Sequence, residues 1–405
     1  MPAVSGAAVG PAQQPTHSPW LIANVLAQIS FGLLAMTLCL PSMQEWGTVF
    51  DTQQAEVQLT FSGYVVAYGA LQLVYGPLSD RHGRRPLLML GLAVAGLASL
   101  MAALATDITQ LTAARVLQGA GSAASMVVGR SLVQDLFKGP QRTRVMAYIG
   151  MALGLCPPLA TLLGGQVHVR WGWQANFVLL AVLALLLFVA AWLGLPRVAQ
   201  PSPPTGHWLR AMFSAYARLL REPRFLLYVA ILAATTATFY AFLAGAPIVL
   251  KGYGIGPDGI GWFIMAVPLS YILGNFLTSR LIQRAGESRV MAWGQALTLA
   301  GLLILLALAL GGVQTALAVA LPLPLLLLGL GHGLLNPPAL AGTVGVLPAL
   351  AGSAAAVAGL MQQLTGAAGG YLVGLVPHEG AVNLGWTMLA FAMTGALAQF
   401  FLRRR

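Results

Sequence analysis

Charged side chains are scarce in this 405-residue chain, at 8% of the residues, where an ordinary soluble protein carries about 25%. So few charges cannot clothe a surface in water, which excludes a cytosolic enzyme or a solvated scaffold. Acids are scarcer still, 10 against 21 Lys and Arg. The two cysteines, Cys39 and Cys156, both lie inside apolar runs, so neither a disulfide framework nor a four-ligand zinc site is expected. HExxH, paired intramembrane aspartates and a Gly-x-Ser-x-Gly elbow are all missing. The chain is therefore not expected to be an enzyme, nor to hold a metal or cofactor. Residues 1–18 contain no Lys or Arg; without the positive region of a signal peptide they read as a flexible cytoplasmic tail.

What is abundant is apolar sequence, 58% of the chain. Hydropathy divides it into twelve runs, the first at 19–40, the second at 59–78, the tenth at 315–341 and the last at 383–402. Each approaches the ~20 residues that cross a bilayer, and continuous apolar character in lipid means helix. Lipid is thus the first partner. With the N-terminus placed in the cytoplasm, 18 of the 21 basic residues fall on the cytoplasmic side. That asymmetry sets the topology, with both termini inside a bacterial-type cytoplasmic (inner) membrane. The net charge of +11 is spread over short loops and forms no contiguous face for nucleic acid.

The chain divides into a tail (1–18), a six-helix half (19–195), a cytoplasmic linker (196–224) and a second six-helix half (225–405). The linker begins Pro/Ser-rich, then turns amphipathic from His207, as a helix on the inner membrane surface would. Gly83 and Gly286 are 203 positions apart, and Gly164–Gly165 precede Gly369–Gly370 by 205. Two offsets near half the length argue for duplicated halves, as in many secondary transporters.

The strongest motif is GPLSDRHGRRP, from Gly76 to Pro86. It resembles the signature loop of the major facilitator superfamily, and VQLTFSGYVVAYGALQLVYGPLSDRHGRRP resembles the Bcr/CflA-type drug exporters within it. AARVLQGAGSAASMVVGRSLVQDLF, LATLLGGQ, WGWQANF and GLMQQLTGAAGG extend the likeness along nearly the whole chain. The resemblance implies an all-α twelve-helix fold that exports small organic compounds by alternating access, with protons and a small-molecule substrate as partners, as a monomer. It gives Gly76, Asp80, Arg81, Gly83, Arg84, Arg85 and Asp135 the role of a conformational latch. Arg115, in ARVLQG, is the one charge well inside a span; the family ties it to proton coupling or the substrate cavity, and snorkelling to the surface is the other reading. Gly154, Pro157, Gly164 and Gly165 resemble the exporter motif of the fifth helix, with Thr161 where proline usually precedes the glycine pair.

The pattern breaks in the first span. The family usually carries Asp-x-Tyr-Leu-Pro there, and this chain has Thr37 in place of the acid and Cys39 in place of the tyrosine. No Asp or Glu lies deep in any run, which leaves His332 as the buried titratable candidate for a coupling proton, with Glu45, Asp107 or Asp135 as the alternatives if helix ends fold into the cavity. Asn24, Gln28, Thr37, Tyr64, Tyr68, Gln72, Gln118, Thr236, Tyr240, Trp262, Tyr271, Asn275, Asn336, Gln362 and Gln363 are the candidate lining of a substrate cavity. A metabolite exporter or an uncoupled facilitator on the same fold stays open, and so does a non-transporting sensor.

Overall fold

The computed structural model describes residues 18–196, 208–311, 322–378 and 380–404. The expected tail, the start of the linker, residues 315–321 of the tenth span and Glu379 lie outside them. Every regular element among the described residues is helical.

Helix α1 (Pro19–Thr37) starts where the Ser18 hydroxyl accepts the Trp20 N–H at 3.3 Å and Pro19 fills the first position. The first span does not stop at 40, as hydropathy predicts. It passes through a 3₁₀ turn at Leu40–Ser42 into α2 (Met43–Val49). The bend sits at Pro41, which has no N–H to continue the ladder.

Helices α3 (Gln54–His82), α4 (Arg84–Ala103), α5 (Ile108–Leu136), α6 (Gly139–Trp171) and α7 (Trp173–Gly194) complete the first group. Next come α8 (Trp208–Leu220), then α9 (Pro223–Gly252), α10 (Ile260–Ala285), α11 (Glu287–Leu310), α12 (Pro322–Gly345), α13 (Ala351–Leu375) and α14 (Val382–Arg403). Ten segments are long and apolar enough to cross a membrane, the bent α1–α2 unit counting as one. The remaining long helices, α5 with 29 residues and α13 with 25, are long enough but less apolar. Counted with them, the long helical segments among the described residues number twelve, consistent with the twelve expected runs. Their lower apolarity has a packing cause. Both carry small or polar residues where neighbouring backbones touch them: Gly119 abuts the Tyr64 carbonyl and Gly369 the Ala237 carbonyl.

Large apolar side chains such as Leu97, Leu104, Leu185, Leu193 and Leu310 face outward, as a lipid-facing girdle requires. Helix α8 is docked, not free: Leu219 and Tyr216 pack with Phe225, Val229, Ala354 and Ala358, while Phe213 stays exposed.

The two groups repeat one another in detail. Gly83 and Gly286 each separate two helices at positive φ, +95° and +80°, a conformation open to glycine without strain. The glycine pairs divide their work alike. A methyl on Gly164 would lie 1.8 Å from the Leu38 carbonyl of its own group, and one on Gly165 2.2 Å from the Pro257 carbonyl of the other. Gly369 likewise abuts Ala237 of its own group and Gly370 the Phe61 ring of the other.

Candidate functional site

Arg115 is fully buried on α5, so it does not snorkel. Its guanidinium donates to the Ala35 carbonyl at 2.8 Å, the Met36 carbonyl at 3.3 Å and Gln118 Oε1 at 2.5 Å. It also lies 4.3 Å above the Tyr64 ring. These partners include no carboxylate. The counter-charge is the C-terminal end of α1, whose last carbonyls have no helical donor and whose dipole is negative there. Tyr64 closes the same end with a bond to the Gly32 carbonyl at 2.7 Å, and Gln118 is held further by Ser99 at 2.7 Å. Thr37, in the acid's place, is buried and gives its hydroxyl to the Leu33 carbonyl at 2.8 Å.

Three expected cavity residues lie elsewhere. Asn24 donates to the Ala190 carbonyl and Gln28 to the Leu187 carbonyl, both at 2.8 Å, so these amides fasten α1 to α7. Their amphipathic placement in the sequence is equally compatible with facing a helix or a cavity. Trp262 is 67% exposed near the start of α10 and joins neither of these groups of bonds.

A different subset does come together, where α3, α9 and α13 meet. The Tyr240 hydroxyl donates to Gln363 Oε1 at 3.0 Å and the Thr236 hydroxyl to Gln362 Oε1 at 3.2 Å. Gly69 admits the Gln363 side chain, which would be 2.5 Å from a methyl there. Tyr68 is buried against Tyr64, ring centroids 5.9 Å apart, and its hydroxyl has no partner. Asn336, on α12, accepts from Thr235 at 2.8 Å. Gln72, Tyr271 and Asn275 are half-buried. His332 is buried on α12 with Nε2 unpartnered. All of these groups but the histidine are uncharged at any ordinary pH.

The motif loop forms an ion-paired cluster within the first group. Arg84 pairs with Asp80 and, through Nε at 3.0 Å, with Asp135; it also donates to Ser79. Arg85 donates to the Trp192 and Leu195 carbonyls of α7. Gly83 supplies the turn. Gly76 does not supply the close approach its place in the motif suggests, since a methyl there meets only Val127 at 3.7 Å, an ordinary contact. Arg81 is also partnered.

Sequence reasoning missed the seam between the groups. It lies at the arginine-poor end and uses neutral donors on carbonyls: Gln44 on Pro247 at 2.7 Å, Gln58 on Ala244 at 2.9 Å, Ser62 on Ala367 at 2.9 Å. Lys251 adds a bond to the Gln44 carbonyl at 2.7 Å. Only the position of these amides near helix ends could have singled them out. Beside the seam, Trp46 is buried against Trp173 and Phe177, each ring centroid 6.1 Å away. At the arginine-rich end a separate cavity of about 500 Å³ is lined by Glu222, Arg224, Tyr228, Glu287 and the inner turn of α12.

The profile of the family described as Major Facilitator Superfamily matches residues 20–370. Multidrug resistance protein D of Escherichia coli is 28% identical over 91% of this chain and 92% of its own length. A bicyclomycin resistance protein homolog of Haemophilus influenzae is 27% identical over 93% and 96%. The chloramphenicol resistance protein of Pseudomonas aeruginosa is 29% identical over 73% and 70%. Among solved structures, a D-xylose-proton symporter superposes with a TM-score of 0.74 at 15% identity, over 95% of this chain and 97% of that one.

Proposed function

The chain belongs to the major facilitator superfamily, and on that premise we propose that it exports small, uncharged organic compounds, antibiotics among them, by proton-driven alternating access. The observation that carries the substrate class is the uncharged cluster of Tyr68, Thr236, Tyr240, Gln362 and Gln363 at the meeting of α3, α9 and α13. Amide and phenol groups between aromatic faces suit neutral amphipathic molecules. Arg115 has its donors directed at α1. The relatives named for bicyclomycin, chloramphenicol and multidrug resistance support the same reading.

The arginine-rich end faces the cytoplasm of a bacterial-type inner membrane and the chain works as a monomer. The closed seam at the opposite end supports reading the structure as an inward-facing state. Asp80, Arg84 and Asp135, paired within the first half, are the latch that engages the second half when the protein opens outward.

Efflux from proteoliposomes tests this with neutral, cationic and anionic compounds, each with and without an imposed pH gradient. Neutral compounds are expected to move fastest and to accelerate when the receiving side is acidic. Equal or better transport of cations would overturn the substrate class. Among the described residues the carboxylates sit at or near span ends and none lies deep in a span, which favours one second reading, an uncoupled facilitator; indifference to the pH gradient would establish it.

A further inference from the structure

Ser42, Glu45, His168 and Asn176 form a network at the arginine-poor end that neither the uncharged cluster nor the latch uses. His168 lies one turn before the end of α6 and is buried. Its Nε2 is 3.1 Å from Glu45 Oε2, and its Nδ1 is 3.0 Å from Ser42 Oγ. Asn176, on α7, donates to Ser42 Oγ at 3.0 Å and to the Gly164 carbonyl at 3.1 Å.

These bonds define the donors. A carbonyl can only accept, so Gly164 fixes the direction of the Asn176 amide, and Ser42 Oγ accepts from it. The single Ser42 hydrogen is then aimed at His168 Nδ1, and the hydrogen of the neutral ring sits on Nε2, facing Glu45. The Glu45 side chain is 48% exposed, so water at this end reaches the pair.

Glu45 sits on the seven-residue helix α2, the segment that also carries the seam. Its neighbour Gln44 donates to the Pro247 and Ile255 carbonyls of the second half, and the Gln44 carbonyl receives Lys251 Nζ at 2.7 Å. The other elements packed on α6 bring few charges. Helices α1 and α7 and the 3₁₀ turn contain no titratable side chain. Asp258 precedes α10 beside Gly165. From α5, Arg115 is directed at α1 and Asp107 caps its own helix. On α6 itself Arg170 is exposed.

Building on the assignment of this end as the outer mouth, we propose that His168 is a proton-binding site filled from outside, and that the proton it takes up loosens the outer seam. Lys251 Nζ, bonded to the Gln44 carbonyl, brings a positive charge of the second half to the helix that carries Glu45; the two form no direct ion pair, and with the ring neutral they attract across the seam through space. A proton from water, placed on Nδ1, makes the ring a cation paired with Glu45 inside the first half, and the pull on Lys251 falls. Both ring nitrogens then donate. Ser42 Oγ accepts from His168 as well as Asn176, and its own hydrogen turns away.

The test uses the full chain in lipid nanodiscs, spin-labelled at Val49→Cys and Gly252→Cys on the two sides of the seam. Cys39 and Cys156 are buried. The distance distribution is followed by pulsed EPR over roughly pH 8 to 5, the range in which histidine changes charge. The open fraction of the unmutated network should rise about two- to fivefold on acidification, the scale of one partly exposed charge pair. His168→Gln should abolish the response, and so should Glu45→Gln, which leaves no charge to compensate. Lys251→Gln should hold the open fraction at its acid value throughout. A normal response in either His168→Gln or Glu45→Gln overturns the proposal, as does a flat profile in the parent. The measurement needs no substrate, so loss of gradient-driven efflux with this response intact counts against antiport alone.

Discussion

Arg115 sits where an isolated charge is costly, and the structure meets that cost with carbonyls in place of an acid. Arg115→Lys keeps the charge but cannot reach two carbonyls and an amide from one planar fork. Each acceptor it strands costs about 1–3 kcal/mol; thermal unfolding in detergent should show a destabilisation of at least one such step, with efflux reduced. Tyr64→Phe keeps the ring under the guanidinium and loses one bond, so the same measurement should find only about 1 kcal/mol. At this scale the sequence exposes the anomaly and hides its solution. A single arginine in an apolar run is plain to read, but Ala35 and Met36 are 80 and 79 positions away and offer only backbone. The partners of Asn24 and Gln28 are hidden for a related reason: the carbonyls they meet on α7 leave no trace in side-chain identity.

At the scale of elements, apolar runs locate the helices well and their irregular ends poorly. The bend at Pro41 and the continuation into α2 belong to packing: Trp46 lies buried on α7, and Gly164 gives α6 the room to touch the Leu38 carbonyl. The glycine pairs, in contrast, are legible as a repeat because spacing survives when contacts are unknown. They carry a directional prediction. Gly165→Ala places a methyl against the Pro257 carbonyl across the seam, so the outer mouth should no longer close fully. Transport should fall while expression and membrane insertion hold, and cysteine accessibility near Gly252 should rise. Unchanged accessibility would mean the helices absorb the methyl without parting.

For the whole molecule, the repeat and the basic-residue asymmetry are visible in sequence, whereas the state of the two mouths is not. A seam of amides on carbonyls has no charge pattern to reveal it. The loop from Gly76 to Pro86 was legible as a motif, but the pairing of Arg84 with Asp80 and Asp135 inside one group was not. Asp80→Asn removes a partner of Arg84 and should slow transport without impairing insertion; wild-type rates in proteoliposomes would remove Asp80 from the cycle. His332→Ala should lower gradient-driven efflux strongly if the buried ring carries the coupling proton, and efflux that persists under the same gradient excludes it.

The cluster around Trp46 gives the protein its own optical reporter. Of the nine tryptophans, Trp46 and Trp173 are buried together beside the seam, while Trp20, Trp171, Trp192, Trp262, Trp293 and Trp386 are exposed at the periphery. Lipid-soluble quenchers should silence the peripheral set and leave the buried pair, whose emission colour and decay then follow the wetting of α2. Movement of the outer mouth can be watched by light in the unlabelled chain.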